Sequence, residues 1–341
     1  MNFATLKSRQ PRRKTWTKEQ LIHERALALR DSIDSSTAKS YGSALNSYLS
    51  FVRNHDLSVQ PSEDNFSFFI VYMSHHINPK SVNTYLSGVC QQLEPYFPNV
   101  REVRNSKLVK RTLHGCMRRH GKPTSRKSPL TLDHLGHVIL ALSTNPSHDE
   151  LLFLSMLLTG FFGLMRLGEL TFPDDPDLQN IRKVSLRESC LLYNDRYEFF
   201  LPSHKADRYF EGNKIIITKN QFRHNPLLHM ALYLQSRDEL FPSSGPLWLD
   251  SQGNIPRRSF FMSRLRHFFP QNFAGQSMRC GGATSLAEHG VPPSIIQPLG
   301  RWSSQAFLVY IRKNPALIQG LLYGRKRDLD LQVNSIPLPA E

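Results

Sequence analysis

Residues 159–170 read Thr159-Gly-Phe-Phe-Gly-Leu-Met-Arg-Leu-Gly-Glu-Leu170, and they place two opposite charges at the end of an apolar run. The run begins at Leu151 and is shorter than the roughly 20 apolar residues of a membrane-spanning helix, so it predicts a buried core helix. A buried arginine is costly unless it is paired, and Glu169 lies three residues beyond Arg166 on the same helical face. Two interpretations stay open: a structural Arg–Glu pair, or an arginine that Glu169 holds rigid so that its free nitrogens face an anion.

Two further segments combine polar, small and aromatic residues. The first reads Gln276-Ser-Met-Arg-Cys-Gly-Gly-Ala-Thr284, in which consecutive glycines allow close backbone packing. The second reads Leu299-Gly-Arg-Trp-Ser-Ser304 and is followed by Tyr310-Ile-Arg312. Each segment alone is a weak signal, because most tyrosines are structural residues whose rings pack in a core.

The composition indicates a basic globular protein. The chain has 341 residues, which suggests two domains, and its 43 Lys and Arg against 28 Asp and Glu give a net charge of +15. This charge favours a polyanionic partner, which would be DNA, RNA or an anionic membrane. The apolar run is too short to favour a membrane-spanning helix. No apolar stretch follows the basic N-terminus, so no signal peptide is expected. The four cysteines lack CxxC spacing, which disfavours a zinc site or a disulfide framework and favours reduced intracellular thiols.

Hydrophobic spacing and capping residues predict a helical first half and a mixed second half. Thr17 and Gln20 have the spacing of a capping box, and Pro79 suits the first turn of a helix. Helices are predicted over about residues 17–32, from residue 35, and over 62–78, 79–96 and 106–119. In the second half we expect helices over 132–142 and 150–164, a small antiparallel sheet, and further helices to about residue 323. The strands of that sheet are predicted at 183–186, 190–193, 197–201 and 214–218.

The segment from residue 101 to 127 is strongly basic, and Glu102 is its only acid. Its end, over residues 121–129, is rich in Gly, Pro and Ser and has the composition of a linker. A run of positive charge is usually a solvated face, but this one joins the two halves of a basic chain, so phosphate contact is the favoured interpretation. The predicted DNA-binding residues are Arg101, Arg104, Lys107, Lys110, Arg111, Arg118, Arg119, Lys122, Arg126 and Lys127.

Together and in this order, the three segments resemble the catalytic boxes of tyrosine recombinases, the family of phage integrases. They are most similar to the branch found in eukaryotic Crypton elements, in which Leu-Gly-Arg-Trp-Ser-Ser runs on to Tyr-Ile-Arg. The resemblance spans roughly residues 35–325 and implies a mainly α-helical chain with a small antiparallel β-sheet. The implied divisions are a basic arm (1–16), a helical, SAM-like core-binding domain (17–120), a basic linker (121–129), an α+β catalytic domain (130–325) and a flexible tail (326–341).

The resemblance also implies roles for individual residues. Tyr310 falls on the nucleophile, which attacks the scissile phosphate and forms a covalent phosphotyrosyl link. Arg166 and Arg279 fall on the two arginines that hold the non-bridging oxygens. Lys205, within Pro202-Ser-His-Lys-Ala-Asp207, falls on the hairpin lysine that protonates the leaving 5′ oxygen. Arg301 falls on a position that the family gives to His or Trp, and it would support the phosphate by a hydrogen bond.

One position departs from the family pattern. The family's His-x-x-Arg motif here reads Gln276-Ser-Met-Arg279, and glutamine donates and accepts hydrogen bonds but does not transfer protons as histidine does. General acid–base help is typically worth about 10²–10⁴ in rate, so this substitution puts full activity in question. Glu169 is expected to orient Arg166, and Trp302 to pack where the family has its His or Trp.

The implied function is site-specific recombination or integration of double-stranded DNA without a metal or other cofactor. The resemblance further implies a homotetramer on paired DNA sites and an intracellular, nuclear location, and no membrane association is expected. The main alternative is a domesticated, catalytically impaired Crypton descendant that binds DNA without cutting it. A topoisomerase-like relaxing activity and a basic RNA-binding or chromatin protein are more distant alternatives.

Overall fold

The structure is a computed structural model and describes residues 13–123, 126–205, 207, 210–220, 224–304 and 308. The chain divides into two compact units, residues 1–124 and 125–341. The predicted nucleophile Tyr310, the predicted tail over 326–341, the helices expected from 309 to 323, and residues 1–12 of the predicted arm lie outside the described residues.

The described part of the first unit is helical. Thr17 and Gln20 form the predicted capping box at the start of its first helix, and Pro79 occupies the first turn of its fourth. The helices are α1 (Lys18–Asp31), α2 (Ser35–Asn54), α3 (Glu63–His76), α4 (Pro79–Leu93), α5 (Val100–Asn105) and α6 (Lys107–His120). Five of them confirm predicted helices, whereas α5 was not predicted.

An aromatic cluster lies at the centre of this unit. The Tyr48 ring of α2 is in edge-on contact with Phe66 and Phe69 of α3, at centroid distances of 5.6 and 5.4 Å. Edge-on pairs of this kind add stability beyond the apolar area that they bury. Val82 and Val89 of α4 are fully buried in the same cluster. The apolar residues at helical spacing in α2 therefore mark the face of this helix that is buried.

The second unit combines helices with a small sheet. Its helices are α7 (Leu132–Ala141), α8 (His148–Phe162), α9 (Pro226–Leu240), α10 (Arg258–Phe268), α11 (Gln276–Glu288) and α12 (Pro293–Leu299). The strands are β1 (Leu191–Leu192), β2 (Arg196–Leu201) and β3 (Asn213–Thr218). They form an antiparallel sheet in the order β1-β2-β3, with Tyr197 opposite Ile217. A mainly helical chain with a small antiparallel sheet was the predicted fold class.

Helix α8 is the central element of this unit and is buried from Leu152 to Phe161. The apolar run is thus a core helix, as predicted, and none of the described helices is long and apolar enough to cross a membrane. Helix α11 packs directly on α8, because a Cβ atom at Gly282 would lie 2.0 Å from the Phe161 carbonyl oxygen. This backbone contact brings α11 to the end of α8, where the segment with Arg166 begins.

One predicted strand was wrong. Residues 183–186 are not a strand: Lys183 ends a 3₁₀ turn over Ile181–Lys183, and Leu186 forms an isolated antiparallel bridge with Pro246. Asn180 caps this turn, since its side chain accepts a hydrogen bond from the Arg182 amide at 3.0 Å. A polar cap at this point competes with the extended backbone that the β-branched and apolar residues favour.

Candidate functional site

The chain between α8 and the 3₁₀ turn over residues 167–169 holds Arg166 beside Glu169. Leu164 turns the backbone with a positive φ of 49° directly after the helix. One Glu169 carboxylate oxygen accepts a hydrogen bond from the Arg166 amide at 2.9 Å, and the other accepts from Arg166 Nη1 at 2.8 Å. The Glu169 side chain is 5% exposed and that of Arg166 29%, so the carboxylate is buried while the guanidinium still reaches solvent.

Arg301 meets the same carboxylate from a distant part of the sequence. Its Nη2 lies 3.1 Å from Glu169 Oε2, and its side chain is 7% exposed. The two terminal nitrogens also donate to the carbonyl oxygens of Gly163, Leu164 and Leu299 at 3.2–3.4 Å. Burial lowers the pKa of the Arg301 guanidinium, and the Glu169 carboxylate opposes that shift. Arg301 therefore points into the protein.

Arg279 reaches this cluster from α11. Its Nη1 donates to the Leu164 carbonyl oxygen, which also accepts from Arg301, and its Nη2 donates to the Gly300 carbonyl oxygen. The guanidinium carbon lies 4.0 Å from the centroid of the Trp302 ring, a cation–π distance. Arg279 is buried, with 5% of its surface exposed. Trp302 thus packs against the predicted second arginine.

The structure therefore joins four predicted residues into one cluster, which we call the arginine cluster: Arg166, Glu169, Arg279 and Arg301. Three guanidinium groups and one carboxylate give it a formal charge of 3 − 1 = +2. Positive charge held in a partly desolvated place attracts an anion more strongly than the same charge in water. Arg166 is the member with the largest exposed side-chain fraction, and it is the one best placed to meet an anion from solvent.

The other predicted site residues have different positions. Gln276 is exposed at the first residue of α11, one turn before Arg279. Lys205 is exposed in the connection between β2 and β3. Within the described part of the chain, no hydrogen bond or ion pair joins Lys205 to the arginine cluster. The position of Tyr310 is outside the described residues.

Sequence reasoning missed the backbone part of this site. The carbonyl oxygens of Gly163, Leu164 and Gly300 hold Arg279 and Arg301, and none of them is visible as a motif. Both Leu164 and Arg301 have left-handed backbone conformations, with φ of 49° and 55°. Such conformations are uncommon outside glycine, so residue type gave no signal for them.

Three solved structures have the same overall fold as this chain. The XerH site-specific recombinase, in a post-cleavage complex with a difH substrate, is 10% identical over 84% of this chain and 79% of its own, with a TM-score of 0.54. The Tn1549 transposon integrase, in complex with transposon right-end DNA, is 13% identical over 85% of this chain and 98% of its own, with a TM-score of 0.54.

The third is a lambda integrase dimer bound to a COC′ core site, which is 16% identical over 85% of this chain and 75% of its own, with a TM-score of 0.52. The chain has the fold of these recombinases and integrases. No protein-family model and no curated protein matches the sequence. At such low identities the likeness is one of fold, and the chemistry has to be argued from the residues of this chain.

In a chain with this recombinase fold, α6 carries a basic surface. Lys107, Arg111 and Arg118 are exposed, and their spacing places them on one face of the helix, while Val109 and Cys116 are buried on another. We call these three residues the α6 basic stripe. The separation of charged and apolar faces follows the helical period. The stripe is therefore available to a polyanion.

Two other predicted DNA-binding residues have partners within the first unit. Arg101 forms an ion pair with Glu94 at 2.6 Å, and Arg104 donates to Asn83 Oδ1 at 3.2 Å. Together with Lys110 they line a cavity of about 180 Å³. Glu94 is an acid outside the basic segment, and for this reason the sequence count did not include its charge.

The remaining basic residues of the predicted set are exposed. Lys127 Nζ, in the second unit, donates to the Gln271 carbonyl oxygen at 2.8 Å. The others are Arg119, Lys122 and Arg126. Among the residues that the structure describes, no group of three or more His, Cys, Asp or Glu side chains could hold a metal ion.

Proposed function

We propose that this protein breaks and rejoins DNA strands by the chemistry of tyrosine recombinases. The observation that supports the proposal is the arginine cluster, in which Arg166, Arg279 and Arg301 meet although they come from three separate segments of the sequence. The cluster lies in a chain whose fold is that of site-specific recombinases and integrases.

In the proposed reaction the Tyr310 phenol oxygen attacks the scissile phosphorus. A phosphorus–oxygen bond to the tyrosine forms as the bond to the 5′ oxygen breaks, and Lys205 gives the leaving oxygen its proton. The covalent phosphotyrosyl link conserves the energy of the broken bond, so the strand is rejoined by the reverse reaction without a cofactor. The phenol proton passes to solvent. Tyrosine has an unperturbed pKa near 10, and in the proposed complex the cations that bind the phosphate would favour the deprotonated form of the attacking phenol.

The arginine cluster supplies the electrostatic part of this reaction. Negative charge on the phosphate oxygens increases as the phosphorus becomes five-coordinate, and fixed donors stabilise that charge most when water is excluded. Arg166, with its partly exposed guanidinium, is the proposed phosphate ligand. Arg279, in the first turn of α11, donates from both terminal nitrogens to the carbonyl oxygens of Leu164 and Gly300, so its proposed contribution is its positive charge. Glu169 orients Arg166 through the two hydrogen bonds that it accepts from that residue.

A second candidate function is DNA binding without cleavage. It is favoured by Gln276, which is exposed at the start of α11 where the family motif has a proton-transferring histidine. Binding needs only cations and shape, so a protein that had lost cleavage would keep the α6 basic stripe and the arginine cluster. This candidate corresponds to a domesticated descendant of a Crypton-type recombinase.

The proposed partner is double-stranded DNA, bound by the α6 basic stripe and the other exposed cations of the basic segment. Assembly as a homotetramer on two DNA sites, a place in the nucleus and descent from a mobile element belong to the same proposal. They rest on the resemblance of the catalytic boxes to the Crypton branch of tyrosine recombinases.

A suicide DNA substrate tests the proposed reaction. Such a duplex carries a nick near the cleavage site, so that the released fragment diffuses away and the covalent protein–DNA adduct accumulates. Native chain is expected to give an adduct that survives denaturation, and Tyr310→Phe is expected to give none. An adduct that Tyr310→Phe still forms would reject Tyr310 as nucleophile, and duplex binding without any adduct would favour the second candidate.

A further inference from the structure

Arg301 occupies the position at which the family pattern expects a phosphate contact, but its donors point elsewhere. Both terminal nitrogens are directed at groups inside the protein: the carbonyl oxygens of Gly163, Leu164 and Leu299, and the Glu169 carboxylate. The remaining nitrogen, Nε, is buried and has no hydrogen-bond partner among the residues that the structure describes. A guanidinium held in this way does not reach a phosphate.

The charge of Arg301 nevertheless acts on the same carboxylate as Arg166. Glu169 is one negative charge between two guanidinium groups, and it is 5% exposed. Glu169 and Arg166 alone would form a neutral pair, whereas the three groups together carry 2 − 1 = +1. Because water is largely excluded from Glu169 and Arg301, the field of this extra positive charge is screened far less than it would be on a surface.

We infer that Arg301 is a positioning residue that balances the negative charge of Glu169. Glu169 can then hold Arg166 in place while Arg166, Glu169 and Arg301 together keep a net positive charge that attracts an anion. Arg166 then keeps a net positive charge toward a phosphate-class anion. That the anion is a DNA phosphodiester rests on the proposed function. Since the five-coordinate state carries more negative charge than the phosphodiester, Arg301 affects strand cleavage more than binding.

Two other roles for Arg301 give different results when Glu169 is made neutral. If Arg301 contacted the anion directly, its loss would matter whether or not position 169 carried a charge. If it only held the carbonyl oxygens of Gly163, Leu164 and Leu299 in place, its loss would likewise matter with or without a charge at position 169. Charge balance alone makes the effect of Arg301 depend on the negative charge of Glu169. A double-mutant cycle measures that dependence.

The cycle uses the full chain with inorganic sulfate as the probe, read as the rise in unfolding temperature with sulfate concentration. The part of this rise in unfolding temperature that Arg166→Gln abolishes is attributed to sulfate bound at the arginine cluster. Arg301→Met is expected to weaken this sulfate binding about 10-fold, which is about 1.4 kcal/mol. In the Glu169→Gln background, Arg301→Met is expected to change it less than about 2-fold, because no buried negative charge is then left to balance. Equal losses in both backgrounds would overturn the inference.

Arg301→Lys keeps the charge and removes most of the hydrogen bonds to carbonyl oxygens, so it covers the case in which Arg301→Met does not fold. It is expected to bind sulfate within about 3-fold of the native chain, a difference of about 0.6 kcal/mol. Sulfate binding lost from folded Arg301→Lys as fully as from Arg166→Gln would overturn the inference. Arg264→Met is the matched control, because Arg264 also pairs with an acid, Asp149, but near the other end of α8.

The same variants are then tested for adduct formation on suicide DNA, where Arg301→Met is expected to lower the rate about 100-fold and the double variant with Glu169→Gln to recover most of it. The two arms separate the failures. A native chain that forms no adduct but shows the coupled sulfate effect would reject the proposed cleavage and keep the inference. A native chain that forms the adduct but shows no coupled sulfate effect would support the proposed cleavage and reject the inference.

Discussion

Gln276 is the residue that limits the rate of cleavage in this proposal, because it stands where the family motif has a histidine. It lies at the first residue of α11, exposed and one turn before Arg279. Gln276→His introduces a group that takes and gives protons near neutral pH at this place. We expect the rate of adduct formation on suicide DNA to rise by about 10²–10⁴, with a dependence on pH between about 5.5 and 8.

Gln276→Asn is the matched control, because it keeps the amide and adds no titratable group. Its rate is expected to equal or fall below that of the native chain and to stay flat over the same pH range. Equal rates for the His and Asn variants would mean that position 276 takes no part in proton transfer. The departure from the family motif would then carry no information about activity.

The resemblance to tyrosine recombinases led us to expect certain side chains at one site, but it gave no expectation of how they are oriented. Arg166, Glu169 and Arg279 were expected at one place, and the structure joins them through Glu169 and the Leu164 carbonyl oxygen. The inward direction of Arg301 depends on its positive φ of 55° and on carbonyl oxygens of another segment. Neither is encoded in a local pattern, so no reading of the motif alone could have found it.

At the scale of elements, two consecutive glycines of α11 allow close backbone contacts, and the contact at Gly282 brings Arg279 to the end of α8. A Cβ at Gly282 would meet the Phe161 carbonyl oxygen at 2.0 Å, and one at Gly281 would meet the Leu130 carbonyl oxygen at 2.1 Å. Because both neighbours are backbone atoms, they cannot rotate away as a flexible side chain does. The helix would have to move as a whole.

Gly282→Ala is therefore expected to lower the free energy of unfolding by about 1–3 kcal/mol, as overpacking of a core does. Urea unfolding followed by circular dichroism measures this change. Gly115→Ala in α6 is the control, since a Cβ there meets nothing within 4 Å, and it is expected to stabilise the chain by about 0.5–1 kcal/mol. Equal stability of Gly282→Ala and the native chain would contradict the close contact of α8 and α11.

Helix α6 carries the prediction about DNA affinity. Lys107, Arg111 and Arg118 lie on one exposed face, whereas the charge of Arg101 is already met by Glu94. Each phosphate contact contributes about 0.9 to the slope of log affinity against log salt, so replacing the three stripe residues by Gln should lower that slope by roughly 3. Arg101→Gln should change it by less than about 1. Both are measured by fluorescence anisotropy with a labelled duplex.

A stripe variant with an unchanged slope would mean that α6 does not face the DNA backbone. The opposite result, a large change with Arg101→Gln alone, would mean that the Arg101–Glu94 pair opens when DNA binds. Either outcome would move the proposed phosphate contacts to other cations of the basic segment.

The elements themselves were predicted well where their signals are local. The capping box at Thr17 and the apolar spacing of α2 depend on residues within a turn or two, and both helices are present. Helix α5 was missed because its six residues are too few to show a hydrophobic period. The strand expected at 183–186 failed because Asn180 caps a 3₁₀ turn just before it.

For the whole molecule, the sequence predicted the fold class and left the chemistry to geometry. The +15 charge indicated a polyanionic partner, and the order of the three motif segments indicated a recombinase fold, which the solved structures share. Charge alone does not separate DNA from RNA, and a fold does not guarantee its usual reaction. The choice of nucleic acid and the reaction both depend on a few side chains, and the loss of those side chains leaves the core unchanged.

Binding by the whole chain is the last prediction, and it separates recognition of DNA from cutting. We expect Tyr310→Phe to bind a DNA duplex as tightly as the native chain, because the hydroxyl is needed for attack and not for phosphate contact. With 6–10 phosphate contacts, affinity should fall about 10³–10⁵-fold between 50 and 200 mM salt for both proteins. Competition with an RNA duplex of the same sequence should displace less than about a tenth of the DNA, since A-form RNA has a narrow major groove that side chains do not enter. A flat salt response, or equal competition by RNA, would contradict a duplex-DNA partner and leave the +15 charge to be explained by another polyanion.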